Sequence, residues 1–267
     1  MLEFTDETAP HQIAFELYGA AAVVCTNSRE VLDQIEPLLP PGWRPCPREA
    51  ATERLGLLRE EDGSYSVYLG VRRVSEGQGL KLSLVLLDGQ IRGHIALYSP
   101  HMTFIHAGAV AHDGVAMIFP GQSFSGKTAL VSALVRAGAT YFSDEFAVVG
   151  EDGLVHPYAK PLSLRSEAGT SQIEHHVSEL GGVAGEEARP LGVAVVTSYR
   201  PGAEWRPRRL TPGEATLALL AHAVPARVRP KETMQAIARM VESAVVLEGE
   251  RGEADELADE LLGLVRT

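Results

Sequence analysis

The sequence holds only two cysteines in 267 residues, Cys25 and Cys46. They are too few and too far apart for a Cys-x-x-Cys redox or zinc pattern, and in a reducing compartment both read as unpaired packing residues. A run of about 20 apolar residues, the length a membrane-crossing helix needs, is also missing. The opening Met1-Leu2-Glu3-Phe4-Thr5-Asp6-Glu7 has neither the basic start nor the apolar stretch of a signal peptide. A cytoplasmic protein with no membrane partner is the expectation. Positive charge is scarce: 24 Lys and Arg stand against 35 Asp and Glu, for a net charge of −11. Affinity for nucleic acid is dominated by phosphate neutralisation, so no nucleic-acid partner is expected. No internal repeat or low-complexity tract is visible.

What the chain does have is a large apolar fraction, 45%. That is enough for one substantial α/β domain with an additional subdomain. In the first hundred residues, Ala20 to Val24 reads as a strand, Ser28 to Leu39 as a helix behind a serine cap and ahead of Pro40-Pro41-Gly42, Tyr65 to Val71 as a strand, and Leu80 to Leu97 as a helix. This predicts an N-terminal α+β subdomain over residues 1–99 and a second domain over 100–267, with the boundary near Ser99-Pro100.

The second part contains Gly121-Gln122-Ser123-Phe124-Ser125-Gly126-Lys127-Thr128, a Walker A phosphate loop. Its glycines let backbone N–H groups turn toward phosphate oxygens, Lys127 reaches the β- and γ-phosphates, and the Thr128 hydroxyl suits Mg²⁺. Context supports the motif. Phe104 to Ala111 and Gly114 to Phe119 read as strands joined by a hairpin turn at His112-Asp113-Gly114, and the second strand runs into the loop through Pro120. Downstream, Ala129 to Val135 reads as a buried helix with Gly138 at its C-cap. The helix adds its N-terminal dipole at the same point.

Next comes Thr140-Tyr141-Phe142-Ser143-Asp144-Glu145-Phe146-Ala147-Val148-Val149, a strand interrupted by two adjacent carboxylates. Buried acids need partners. One helix and one returning strand would bring Asp144 and Glu145 beside the loop, where Lys127 or nucleotide-borne Mg²⁺ would compensate them. Their roles there would be metal ligand and general base toward a substrate hydroxyl; the alternative is a solvent-exposed strand end.

Other segments are less specific. Ser166 to Arg189 is rich in Gly, Ser, Glu and His, and reads as an exposed loop or lid; the pair His175-His176 lacks the spacing of a metal site. Residues 200–231 form the one basic stretch, with Arg200, Arg206, Arg208, Arg209, Arg227, Arg229 and Lys231. Arginine forks suit phosphate or carboxylate, while solvated loops around a helix from Thr211 to His222 are the plainer reading. Glu253 to Val265 repeats leucines at helical spacing and reads as a docking helix.

These residues resemble the catalytic domain of the HPr kinase/phosphorylase family and its smaller relatives. The match consists of His106 opening a strand, the phosphate loop, a short helix, a small residue followed by two acids, and Lys160-Pro161-Leu162-Ser163-Leu164-Arg165. The overlap covers about residues 101 to 165. The resemblance implies a P-loop kinase core related to phosphoenolpyruvate carboxykinase, within an overall α/β fold. It implies ATP with Mg²⁺, leaving GTP open, and phosphorylation of a hydroxyl, a serine on a precursor peptide or a small molecule. His106 would sit near the transferred phosphate, Asp144 would be the base or its orienter, and Glu145 would help hold Mg²⁺ together with Thr128. Two departures stand out: Phe124 replaces a usual glycine, and Ser166 to Arg189 lacks the family's longer signature, which argues against HPr as the acceptor. A nucleotide-binding regulatory or scaffold protein and a free-serine or other metabolite kinase are the alternatives, and a homo-oligomer is left open.

Overall fold

The computed structural model describes residues 4–122, 125–165 and 172–265. Two compact units divide the chain, residues 1–101 and 102–267. Each is mixed α/β.

The first unit is a six-stranded sheet in the order β3-β1-β2-β4-β5-β6, formed by β1 His11–Leu17, β2 Ala20–Thr26, β3 Arg44–Pro45, β4 Glu53–Arg59, β5 Tyr65–Leu69 and β6 Arg72–Gln78. Only β2 and β4 pair in parallel. Helix α1, Arg29–Ile35, starts where Ser28 accepts the N–H of Val31, and gives way to a 3-10 turn at Glu36–Leu38, which contains Pro37. Helix α2, Leu80–Tyr98, buries Leu87, Ile91 and Ile95 at helical spacing. Cys25 is buried and Cys46 partly exposed; both are free thiols.

The second unit is built on a sheet ordered β11-β10-β7-β8-β14-β16-β15, with β9 also on β7. Its strands are β7 Met102–His112, β8 Val115–Pro120, β9 Thr140–Ser143, β10 Phe146–Gly150, β11 Leu154–His156, β14 Arg189–Tyr199, β15 Arg208–Arg209 and β16 Val245–Arg251. A separate hairpin joins β12 Leu162–Arg165 to β13 Gln172–His175. The β7–β8 hairpin turns at Asp113 and Gly114, both with positive φ, as its sequence predicts.

Alternation along the strands builds a core on each face of this sheet. Ile105, Ala107, Ala109, Ala116 and Ile118 face one way, with α4 Pro212–Leu220 and α5 Pro230–Ser243 supplying Leu219, Ile237 and Met240. Val110, Met117, Phe119, Val193 and Val195 face the other, against α3 Lys127–Arg136 and α6 Ala254–Gly263. The leucine-patterned tail thus docks on the helix that follows the phosphate loop. Helix α3 lies close to β7 because Gly108 is there: a Cβ at that position would meet Val131 at 2.5 Å.

Strands β8, β14 and β16 run parallel, so Pro120, Tyr199 and Arg251 end at one edge. Strand β11 also pairs with β14 and closes part of the sheet, and in α/β sheets, open or closed, ligands bind outside the carboxyl ends of parallel strands. The Walker A sequence leaves the sheet at that edge.

Candidate functional site

The loop begins where β8 ends, with the Gly121 N–H donating to the His106 carbonyl at 3.2 Å. It closes at Gly126, which precedes α3 in the left-handed region, φ +85°. No side chain caps α3, and the first backbone bond of the helix is Leu130 N–H to Gly126 carbonyl, 3.1 Å. The N–H groups of Lys127, Thr128 and Ala129 therefore have no helical acceptor and open toward the loop, at the positive end of the dipole. Ser123 and Phe124 lie outside the described residues.

Lys127 is buried, 9% exposed. Its Nζ donates to the carbonyls of Gly121 (3.0 Å) and Gln122 (2.7 Å), so the ammonium sits against the start of the loop. Burial pulls its pKa below the usual lysine value, and the charges of Asp144 and Glu145 oppose that pull.

The acid pair is placed by a break in a strand. Strands β9 and β10 both pair with β7, Ser143 opposite Ala109 and Phe146 opposite His106, and between them Asp144 and Glu145 leave the ladder. The Ser143 hydroxyl oxygen accepts the N–H groups of Glu145 (3.1 Å) and Phe146 (3.0 Å), and the Ala107 N–H donates to the Glu145 carbonyl at 3.0 Å. The backbone cost of the break is met locally. Both acids end up half-buried rather than inside the apolar sheet.

Asp144 then meets the loop. Thr128 Oγ1 donates to Asp144 Oδ2 at 2.9 Å, the Ser163 N–H lies 3.4 Å from the same oxygen, and Tyr141 Oη stands 3.1 Å from Oδ1. Tyr141 also reaches the Lys160 carbonyl at 2.8 Å, sharing its single hydrogen between two acceptors. Burial first, and the Asp144 charge second, push the Tyr141 pKa far up, so this hydroxyl keeps its proton to donate. Lys160 and Ser163 belong to the segment that followed the acids in the sequence pattern.

His106 is half-buried on the face of β7 that Gly108 shares with α3, its ring 5.9 Å from that of Phe146. Its backbone carries the start of the loop and, through its N–H, the carbonyl of His222 at 2.8 Å. The structure thus brings two hydrogen-bonded sets side by side, the His106 backbone with Gly121 and Lys127, and Thr128 with Asp144, with Lys127 coupled by charge to Asp144 and Glu145.

Three residues here carried no signal in the sequence. Tyr141 read as an ordinary strand aromatic. His222 read as the end of a helix; it is half-buried, and burial together with the positive charge of Lys127 holds its pKa below 6.5. Arg251 lay outside every segment the sequence singled out, yet its Nη2 donates to the Gly126 carbonyl at 3.0 Å.

Two of the less specific segments take defined form. In the segment read as an exposed loop or lid, the described residues 172–189 hold a strand, β13, paired with β12, a 3-10 turn over Val177–Leu180 and a bridge from Ala184 to Tyr141, with irregular chain between them. Gly182 and Gly185 press on Val135 and Phe142, too close for any Cβ, which is why a glycine-rich stretch is ordered here. His175 and His176 bind Glu179 through a side chain and a backbone N–H. In the basic segment, Arg200 pairs with Glu250, Arg206 with Glu204, and Arg208 with both Glu214 and Glu248, all at the surface. Among the described residues, no group of three or more His, Cys, Asp or Glu is arranged to hold a metal ion alone. No described helix is long and apolar enough to cross a membrane.

No family model matches this chain, and no curated protein does. Among solved structures it is similar to the Hpr(Ser) kinase/phosphatase from Coxiella burnetii, at 15% identity and a TM-score of 0.35, over 61% of this chain and 93% of that one. So loose an overlap carries no weight for the site. Its own geometry must.

Proposed function

We propose that the chain is a phosphotransferase that uses ATP, or GTP, with Mg²⁺ to phosphorylate a hydroxyl, a serine of a peptide or a small molecule. The observation that supports this reading best is the Thr128–Asp144 hydrogen bond. Thr128 gives its only hydrogen to the carboxylate, which leaves its oxygen lone pairs to face a cation. Hard oxygen donors of this kind suit Mg²⁺, and the open N–H groups at the start of α3 suit phosphate.

In this reading the α3 amides and Lys127 hold the β- and γ-phosphates and neutralise the charge that develops in transfer. Lys127 would exchange two carbonyl acceptors for phosphate oxygens. Thr128, with help from Glu145, would hold Mg²⁺, which would supply charge neutralisation at the nucleotide phosphates. Asp144 orients the attacking hydroxyl or takes its proton, and Tyr141, Thr128 and Ser163 fix the carboxylate while it does so. His106 would stand beside the transferred group.

The acceptor is tested by incubating the chain with γ-labelled ATP and Mg²⁺ against serine-bearing peptides and, separately, against free serine and other small alcohols. Label in a peptide alone supports a peptide kinase. Label in a small alcohol alone assigns a metabolite kinase, and label in neither leaves a nucleotide-binding protein that transfers nothing.

A further inference from the structure

Arg251 ends β16 with its side chain almost wholly buried, 3% exposed. Nη1 donates to the Gly252 carbonyl and Nη2 to the Gly126 carbonyl, each at 3.0 Å, and Nε has no partner. Both acceptors are neutral. Among the described residues no carboxylate reaches the guanidinium at ion-pair distance. Glu253 acts on it only through space, and its carboxylate accepts the Tyr199 hydroxyl at 2.7 Å. The Tyr199 ring lies 5.3 Å from the guanidinium carbon and offers a weak cation–π contact.

Burial depresses the arginine pKa, but guanidinium remains a cation in proteins. A buried cation served by two carbonyls alone, with its Nε–H unpartnered, is costly unless an anion answers it. The place where it lies says which anion. Arg251 touches Gly126 so closely that a Cβ there would meet Nη2 at 2.5 Å. Gly126 opens α3, where the N–H groups of Lys127, Thr128 and Ala129 are also without helical acceptors.

We propose that Arg251 is a phosphate-binding residue of this site, contributed by the last strand of the sheet rather than by the loop sequence. It extends the nucleotide reading and rests on it only in that the ligand carries phosphate. The guanidinium keeps its bond to the Gly126 carbonyl and directs its remaining N–H groups at a phosphate oxygen over the start of α3. Planar, forked donors suit that task.

The test is calorimetric titration of the full chain with inorganic pyrophosphate and with ATP, in wild type, Arg251→Gln and Arg251→Lys, with a thermal melt of each. Glutamine keeps an N–H for the Gly126 carbonyl and removes the charge. The expected result is a loss of about 10- to 100-fold in affinity for both ligands in Arg251→Gln, the range for a hydrogen bond to a charged group, and partial recovery in Arg251→Lys. An affinity within about twofold of wild type in Arg251→Gln, when that variant melts cooperatively, overturns the proposal. If Arg251→Gln does not fold, Arg251→Lys decides alone: it should bind pyrophosphate more weakly than wild type. A wild type that binds neither ligand overturns both this assignment and the nucleotide reading. Pyrophosphate binding that depends on Arg251, without label transfer to any acceptor, leaves the assignment standing and removes the kinase.

Discussion

Thr128 on the first turn of α3 donates to Asp144 in the break between β9 and β10, at 2.9 Å. One bond joins the phosphate loop to the acid pair. Thr128→Val removes both the donor and the oxygen that would face Mg²⁺. ATP titrations should then lose the tightening that Mg²⁺ gives wild type, while affinity without Mg²⁺ changes little. A Mg²⁺ effect of wild-type size in the variant would detach Thr128 from any metal.

Tyr141→Phe should destabilise the second unit by about 1–3 kcal/mol, since the Asp144 carboxylate and the Lys160 carbonyl lose one shared donor. Denaturant unfolding measures this directly. An unchanged midpoint would show that solvent replaces the hydroxyl at no cost.

Gly126→Ala should cost about 1–3 kcal/mol for left-handed backbone alone. Its new methyl would also push Arg251 away. ATP affinity and thermal stability should fall together; a variant that binds ATP like wild type would place the phosphates elsewhere.

Acid should weaken the fold through two histidines. Burial lowers the pKa of His94 below 6.5, and burial with the Lys127 charge does so for His222. A base whose pKa is lower in the folded state binds its proton more readily when unfolded, so stability falls as pH drops below 6.5. The contribution of the neutral rings is complete above that value and shrinks toward their folded pKa. The urea midpoint should be lower at about pH 5.5 than at about pH 7.5, and His94→Gln and His222→Gln should each narrow the gap. An equal gap in both variants contradicts the assignment.

Local chemistry made much of the second unit legible in the sequence. Asp113-Gly114 permits one kind of hairpin turn, the glycines and Lys127 of the loop sit between an apolar strand and an apolar helix, and two acids in a run of β-formers announce the break that Ser143 stabilises. What stayed hidden depends on topology. Arg251 reaches the loop only because β16 lies parallel to β14 and β14 to β8, and His222 only because the end of α4 meets β7. Neither pairing leaves a mark on neighbouring residues. The glycines at 182 and 185 suggested mobility, whereas they allow close packing on Val135 and Phe142.

The central claim is that this site transfers phosphate and does not merely bind it. Transfer of label from γ-labelled ATP in the presence of Mg²⁺, by wild type and by Asp144→Asn, tests it most directly. The account predicts a labelled hydroxyl with wild type and a loss of about 100-fold or more with Asp144→Asn, which still binds nucleotide. Nucleotide binding with no labelled acceptor, and slow ATP hydrolysis that Asp144→Asn leaves unchanged, would contradict it.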